Sequence, residues 1–408
     1  METQTISSAV AIELEEKYGA HNYHPLPVVL SRGEGVNVWD VEGKHYFDFL
    51  SAYSAVNQGH CHPSIVNALI NQAQKLALVS RAFHNDILGE YEQFMTQLFG
   101  YDKLLPMNTG AEAVETALKL CRKWAYEVKG IEKDKGIIIV CNQNFHGRTI
   151  SIISASSDPG AYNNFGPHTP GFLSIPYNDL DALQNALQNK NVAGFLLEPI
   201  QGEAGVIVPH QGYLKAAYDL CKKNNVLFIN DEIQTGIART GKMLAADYEN
   251  VHADILILGK ALSGGTYPVS AVLCNNEIML CIKPGEHGST YGGNPLACSI
   301  ALAAMQVVNN EMLADNAMLM GNLLRTELQK IKSPMLTAVR GKGLLNAIDI
   351  EPINGKTAWD VCLKLSQNGL LAKPTHGHII RFAPPLVINE DQMSQCIDII
   401  RKTILSFQ

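Results

Sequence analysis

Two short apolar runs end in groups that can do chemistry together. Ile255-Leu256-Ile257-Leu258-Gly259 ends in Lys260, and Val226-Leu227-Phe228-Ile229 ends in Asn230-Asp231-Glu232-Ile233-Gln234. A short apolar run bounded by glycine and polar residues reads as a buried parallel strand. Open α/β sheets bind ligands in the crevice beyond the carboxyl ends of such strands. A desolvated lysine there can lose its proton and form a Schiff base. An aspartate beside it can hold a protonated pyridine nitrogen. The pair suits pyridoxal 5'-phosphate.

Four further segments carry polar groups in patterns that fit a site, each beside a plainer reading. Asn108-Thr109-Gly110-Ala111 opens a helical pattern. Free N–H groups at a helix start hold a phosphate, and glycine lets it come close; the plainer reading is an N-cap. In Phe145-His146-Gly147-Arg148, Phe145 can stack on a flat ring or simply pack in the core. Arg148 can clamp a carboxylate with two parallel hydrogen bonds. Glu198-Pro199-Ile200-Gln201-Gly202-Glu203 places two carboxylates in a strand-end loop, where function concentrates; the alternative is a solvated turn. His287-Gly288-Ser289-Thr290-Tyr291 offers hydroxyl and backbone donors for phosphate, or forms a linker.

Two motifs mislead. Gly236 to Met243 reads G-x-x-x-x-G-K-M, but a P-loop needs a Mg²⁺-binding hydroxyl where Met243 stands. His60-Cys61-His62 has zinc-type ligands, yet adjacent residues cannot all face one ion and no second cluster follows. No metal site is expected.

The elements that must position these groups alternate. Strands are expected at 136–141, 192–197, 226–230, 255–258 and 269–274, with helices at 63–75, 86–99, 110–127, 181–188 and 212–223. Alternation of this kind means a mostly parallel sheet covered by helices. The first ~50 residues read as irregular apart from a hairpin around Val41-Glu42-Gly43. One long helical stretch is expected from Pro295 to about Ile331, and short strands and helices follow from Thr337. The division is an N-terminal segment 1–53, a large α/β domain 54–310 and a small α+β domain 311–408.

Composition narrows the function classes. Hydrophobic content of 46% with 17% charged residues is that of a globular chain. A net charge of −7 argues against nucleic acid and anionic membranes as partners. No apolar stretch reaches the ~18 residues a membrane helix needs. Four glutamates among residues 1–20 are wrong for a transit peptide, so a cytoplasmic location is expected. Nine cysteines without a C-x-x-C pair read as reduced thiols.

The stretches LPMNTGAEAVETA, EPIQGEAGVIVP, DEIQTGIARTGK, LGKALSGGTYPVSAVLC and PGEHGSTYGGNPLA together resemble the class III, fold-type I pyridoxal phosphate aminotransferases. The resemblance runs over essentially the whole chain. SAYSAVNQGHCHP and AKPTHG are similar to the branch acting on the δ-amine of ornithine. It implies that Lys260 carries the cofactor and shuttles a proton, while Asp231 pairs with the pyridine nitrogen. Gln234 would bond the phenolic oxygen, and Phe145 and Ile233 would sandwich the ring. Gly110 and Ala111 would hold the phosphate. Ser289 and Thr290 would reach the phosphate of a neighbouring subunit, in a homodimer or dimer of dimers.

On the substrate side, the resemblance makes Arg381 the clamp for glutamate's α-carboxylate and Glu203 the residue that masks it. Tyr23 and Arg148 would hold ornithine's α-carboxylate, with Tyr53 lining the pocket. The implied reaction is ping-pong: ornithine and 2-oxoglutarate give glutamate and glutamate 5-semialdehyde, which cyclises to pyrroline-5-carboxylate. His146 departs from the tryptophan typical of animal members. Phe-His-Gly-Arg is instead the pattern of acetylornithine and 4-aminobutyrate aminotransferases, so the alternative substrates are acetylornithine or another ω-amino acid. An intramolecular aminomutase is the rival from another class.

Overall fold

The computed structural model describes residues 6–407. Near the start, β1 (Leu30–Glu34), β2 (Asn37–Asp40) and β3 (His45–Asp48) pair antiparallel in that order. The expected hairpin forms around Gly43 at φ +85°. Asp40 Oδ1 closes it by accepting the N–H groups of Glu42 and Lys44. The segment before it is less irregular than expected. Ser8–Tyr18 is a helix, with the Ser7 hydroxyl accepting from Val10 N–H as its N-cap.

Seven strands make the central sheet: β4 (Lys103–Met107), β5 (Ile137–Cys141), β6 (Phe172–Ile175), β7 (Val192–Leu197), β8 (Leu227–Asp231), β9 (Ile255–Leu258) and β10 (Ser270–Cys274). They lie in the order β4-β10-β9-β8-β7-β5-β6. The neighbours β9-β8-β7-β5-β6 are parallel throughout. β10 is the exception, antiparallel to both β9 and β4. Residues 259–269 hold only a tight turn at Lys260–Ser263, too little chain for the crossover that parallel strands need. β7 through β10 are buried at every position. That is what a sheet covered on both faces requires.

The helix Gly110–Trp124 packs across β9 and β10. It buries Ala113, Val114, Ala117, Leu120, Cys121 and Trp124, one face at helical spacing. The expected single helix from 295 to 331 is two, Pro295–Asn310 and Leu313–Gln329, bent by 59°. Met312 between them takes a left-handed conformation, which ends one hydrogen-bond ladder and starts the next. No single helix among the described residues is long and apolar enough to cross a membrane.

A second antiparallel sheet follows, made of β11 (Leu336–Lys342), β12 (Leu345–Ile350), β14 (Lys373–Thr375) and β15 (Ile379–Phe382) in the order β11-β12-β15-β14. The short strand before β14, β13 (Leu370–Leu371), pairs instead with β3. The N-terminal hairpin is thus hydrogen-bonded to the small domain, and Ala383 N–H donates to Phe49 O at 2.8 Å.

The helix Leu313–Gln329 lies tightly on the β11–β12 turn. A Cβ on Gly321 would fall 1.8 Å from Gly343 O. Gly321→Ala should therefore lower stability by ~1–3 kcal/mol, outweighing alanine's better helix propensity of ~1 kcal/mol. Urea unfolding measures it, and a variant as stable as the parent contradicts the close contact.

Candidate active site

β8 and β9 are neighbours, so their carboxyl ends bring Asp231 and Lys260 to one crevice. Lys260 is partly buried and sits at φ +46°, a left-handed conformation costly for a branched backbone substituent and concentrated at functional sites. Burial lowers its proton affinity below the ordinary lysine range. The charges of Glu203, Asp231 and Glu198 oppose that shift, and Arg381 adds to it. Asp231 is buried; its Oδ1 accepts Ile233 N–H at 3.1 Å and its Oδ2 meets His146 Nδ1 at 2.6 Å.

The helix start is set by a capping box. Thr109 Oγ1 accepts Glu112 N–H, and Glu112 Oε2 accepts the N–H groups of Thr109 and Asn108. Ala113 N–H goes to Thr109 O. The N–H groups of Gly110 and Ala111 are left without a protein acceptor among the described residues. The cap and the anion site are therefore compatible: the box frees the two groups that the phosphate reading needs. A Cβ on Gly110 would press on the end of the Ile233 side chain at 3.1 Å. A Cβ on Gly147 would fall 3.1 Å from the Ala111 Cβ, so the Phe145 loop packs on the helix start.

Glu203 stands between two partners. Its Oε1 accepts from Arg381 Nη1 at 2.7 Å and from Gln234 Nε2 at 3.1 Å. Burial would raise the Glu203 pKa, but Arg381's charge and hydrogen bond hold it below the usual carboxylate value. Arg381 is 5% exposed, its Nε has no partner among the described residues, and its guanidinium lies 5.0 Å from the Tyr53 ring centre. Tyr53 belongs to a turn in which Ser51, Ala52, Tyr53 and Ser54 all have positive φ, from 47° to 72°. Each such residue costs roughly 1–2 kcal/mol. Asp48 Oδ1 props the turn by accepting the N–H groups of Leu50 and Ser51.

Other expected residues stand further out. Tyr23 is 73% exposed, with the Lys373 ammonium 6.0 Å from its ring centre. Arg148 is exposed, 3.8 Å from the Asp158 carboxylate and over the Phe145 ring at 5.3 Å. It makes no contact with Glu203 or Arg381 among the described residues. Ser289 Oγ accepts from this chain's own Asn108 at 2.8 Å, and Thr290 is exposed. Gln234 is committed to Glu203 and, at 3.4 Å, to Arg381. Of the misleading motifs, residues 236–243 form a buried turn, while His60 and His62 bond Asp48 and Glu311 separately.

Sequence reasoning gave no role to two residues that the fold brings to this crevice, His146 and Glu198. His146 entered only as a departure from a pattern. In the fold it is buried against Asp231; burial lowers its pKa, but Asp231's hydrogen bond and charge raise it overall. The sequence carried no local signal for this pairing, since the two residues are 85 positions apart. Glu198 accepts Phe145 N–H at 2.9 Å and Gly202 N–H at 3.3 Å, tying the ring-flanking loop to the Glu203 loop.

These groups fit pyridoxal phosphate. There is an amine whose burial favours its neutral form, a carboxylate held in place by His146, and two open N–H groups at a helix start. Ile233 packs beside Gly110 and Gly259 at this crevice.

The family model for aminotransferase class-III matches residues 18–404. The mitochondrial ornithine aminotransferase of Drosophila melanogaster is 66% identical over 393 residues, covering 96% of this chain and 90% of that one. A structure of Toxoplasma gondii ornithine aminotransferase, with partial occupancy of PLP at its active site, matches with a TM-score of 0.97 at 49% identity, covering 99% of this chain and 95% of that one. The acetylornithine aminotransferase structure from Elizabethkingia anophelis matches with a TM-score of 0.91 at 62% identity, covering 98% and 100%.

Burial pushes two carboxyls, Glu198 and Glu232, up to about 7. Glu232 lies beyond Asp231, accepting from Thr235 Oγ1 and from Ala246 N–H. A folded pKa above the unfolded one stabilises fully below the unfolded value, and that stability is lost as pH rises through the folded value. Unfolding free energy should thus fall between about pH 5 and 8. Glu232→Gln should remove one group's share, of order 3 kcal/mol. Urea midpoints at both ends of that range test this; an unchanged pH slope in the variant contradicts it.

Proposed function

This chain belongs to the class III aminotransferases, and we propose that it transfers the δ-amino group of L-ornithine to 2-oxoglutarate, giving L-glutamate 5-semialdehyde and L-glutamate. The observation that carries this reading is the Arg381–Glu203 pair at 2.7 Å in the crevice that holds Lys260. Pyridoxal phosphate, when bound, supplies an electron sink for the carbon that loses its proton.

The chain's own groups do the rest. Lys260, with its proton affinity lowered by burial, would take the proton from the substrate's reacting carbon and hold it at Nζ for its return. Asp231 presents a fixed carboxylate to the pyridine nitrogen, with His146 holding the far oxygen. Gly110 and Ala111 N–H groups and the helix dipole hold the phosphate. Phe145 and Ile233 flank the ring, and Gln234 serves both the phenolic oxygen and Glu203.

Ornithine and glutamate must present different amines at the same point. An open Arg381 would draw ornithine's α-carboxylate and bring the α-amine to Lys260. Glu203 occupies Arg381 and prevents this. Ornithine then places its α-carboxylate further out, toward Tyr23 and Arg148, with Tyr53 beside its α-amine. 2-Oxoglutarate displaces Glu203 and takes both Arg381 donors. The mask needs little strength, since ~1.4 kcal/mol already gives tenfold discrimination.

One assignment of assembly and one rival substrate complete the proposal. The working unit is a homodimer or a dimer of dimers, in which Ser289 and Thr290 serve the phosphate of the second copy. Exposed Leu78, Phe83 and Tyr291 near that loop support this. A second substrate reading, N-acetylornithine, is favoured by the Elizabethkingia similarity and by His146 after Phe145. A coupled assay with ornithine and N-acetylornithine separates the two.

Lys260→Ala should abolish turnover, and ornithine-dependent activity near the wild-type level would sink the assignment. Glu203→Ala should leave Arg381 open. Its glutamate half-reaction should be preserved or faster, while ornithine begins to lose its α-amine. Single-turnover kinetics with product analysis reads both; equal slowing of both halves with δ-deamination alone would make Glu203 a structural carboxylate.

A further inference from the structure

Arg239 is the largest side chain with no solvent exposure. No carboxylate pairs with it, and Asp48 acts on it only through its charge. Burial pushes its pKa down to about 9, so it stays charged at neutral pH. Its hydrogen bonds all go to neutral oxygens. Nε and Nη2 donate to Asn57 Oδ1 at 3.1 and 2.6 Å, and Nη1 donates to Leu344 O at 2.9 Å and Pro384 O at 2.6 Å. A buried charge without an opposite charge is costly. Something must offset that cost, and the geometry shows what Arg239 joins.

Three of the segments it joins each deliver a residue to the substrate side of the crevice, and the fourth pairs with one of them. Asn57 follows the left-handed turn that carries Tyr53, and its own Nδ2 donates to Ile237 O at 2.7 Å. Arg239 itself ends the turn that begins at Gln234, in which Ile237 and Ala238 both have positive φ. Pro384 lies just beyond β15, which carries Arg381. Leu344 leads into β12, where Ala347 pairs with Arg381, and Leu344 N–H returns a bond to Arg239 O at 3.0 Å. Leu386 N–H closes the knot on Asn57 O at 2.7 Å.

We propose that Arg239 is a positioning residue that holds Tyr53, Gln234 and Arg381 in register around Glu203, and so sets which amine of the substrate reacts. It touches neither substrate nor cofactor. The guanidinium fork suits the task because one side reaches Asn57 and the other reaches two carbonyls at once. This inference rests on reading Glu203 and Arg381 as the substrate switch.

The test uses holoenzyme carrying Arg239→Lys. Lysine keeps the charge and can reach the carbonyls, but it cannot also fork onto Asn57. Gly110, Ala111, Asp231 and Lys260 make no contact with Arg239, so cofactor absorbance should be retained. The concentration of 2-oxoglutarate or glutamate giving half-maximal single-turnover rate should rise by about tenfold or more, while the limiting rate with ornithine changes by less than about threefold. Product analysis should also show some α-deamination of ornithine. Asn57→Ala, which leaves Arg239 in place, should shift the same ratio, and it decides the matter if Arg239→Lys fails to hold cofactor. If the half-reactions fall in equal proportion, or the ratio is unchanged in both variants, Arg239 is a structural staple only. Absence of ornithine turnover in the wild type would instead sink the underlying reading of the switch.

Discussion

Lys260 stands among three carboxylates, those of Glu203, Asp231 and Glu198, and still loses proton affinity. Each carboxylate favours the charged amine, burial is the larger effect, and each carboxylate has a partner of its own. Asp231 has His146 at 2.6 Å. Glu203 has Arg381 at 2.7 Å. Glu198 accepts two backbone N–H groups, and its own burial raises it to about 7. Remove one partner and the uncompensated charge acts on Lys260. The partners are therefore part of the amine's chemistry, and their placement explains why side chains from distant parts of the chain converge here.

The fold supplies that convergence through strand ends and strained turns. Parallel β8 and β9 put Asp231 and Lys260 side by side. β15 reaches in from the other sheet with Arg381, tied through Ala383 to the N-terminal segment. The left-handed turn at Ser51–Ser54 and the positive φ at Lys260 both store strain at the crevice. Such conformations persist only where surrounding bonds over-determine them. Asp48 props the first, and the close packing of Gly259 and Gly110 on Ile233 confines the second.

Much of the site was legible locally. Lys260 and Asp231 follow short apolar runs, and a run of that length bounded by glycine announces a strand end. The capped start at Thr109-Gly110 is equally local, because a capping box spans only four residues. What was not legible is long-range or conformational. His146 and Asp231 are 85 residues apart, and nothing in either neighbourhood names the other. The Ser-Ala-Tyr-Ser turn contains no glycine, so composition hides its handedness. β10 reads as another buried strand, since an apolar run does not encode direction; only the short link after Lys260 does. The apolar period runs through Met312, which concealed the break between the two helices.

The central claim is that the crevice admits ornithine with its δ-amine at Lys260 because Glu203 covers Arg381. The most direct measurement is to supply the holoenzyme with ornithine labelled with ¹⁵N at the δ position, together with 2-oxoglutarate, and to locate the label. The label should appear in glutamate, with unlabelled nitrogen left at the α position of the semialdehyde. Glutamate without label, and label retained in the residual carbon skeleton, would show that the α-amine reacts and would contradict the account.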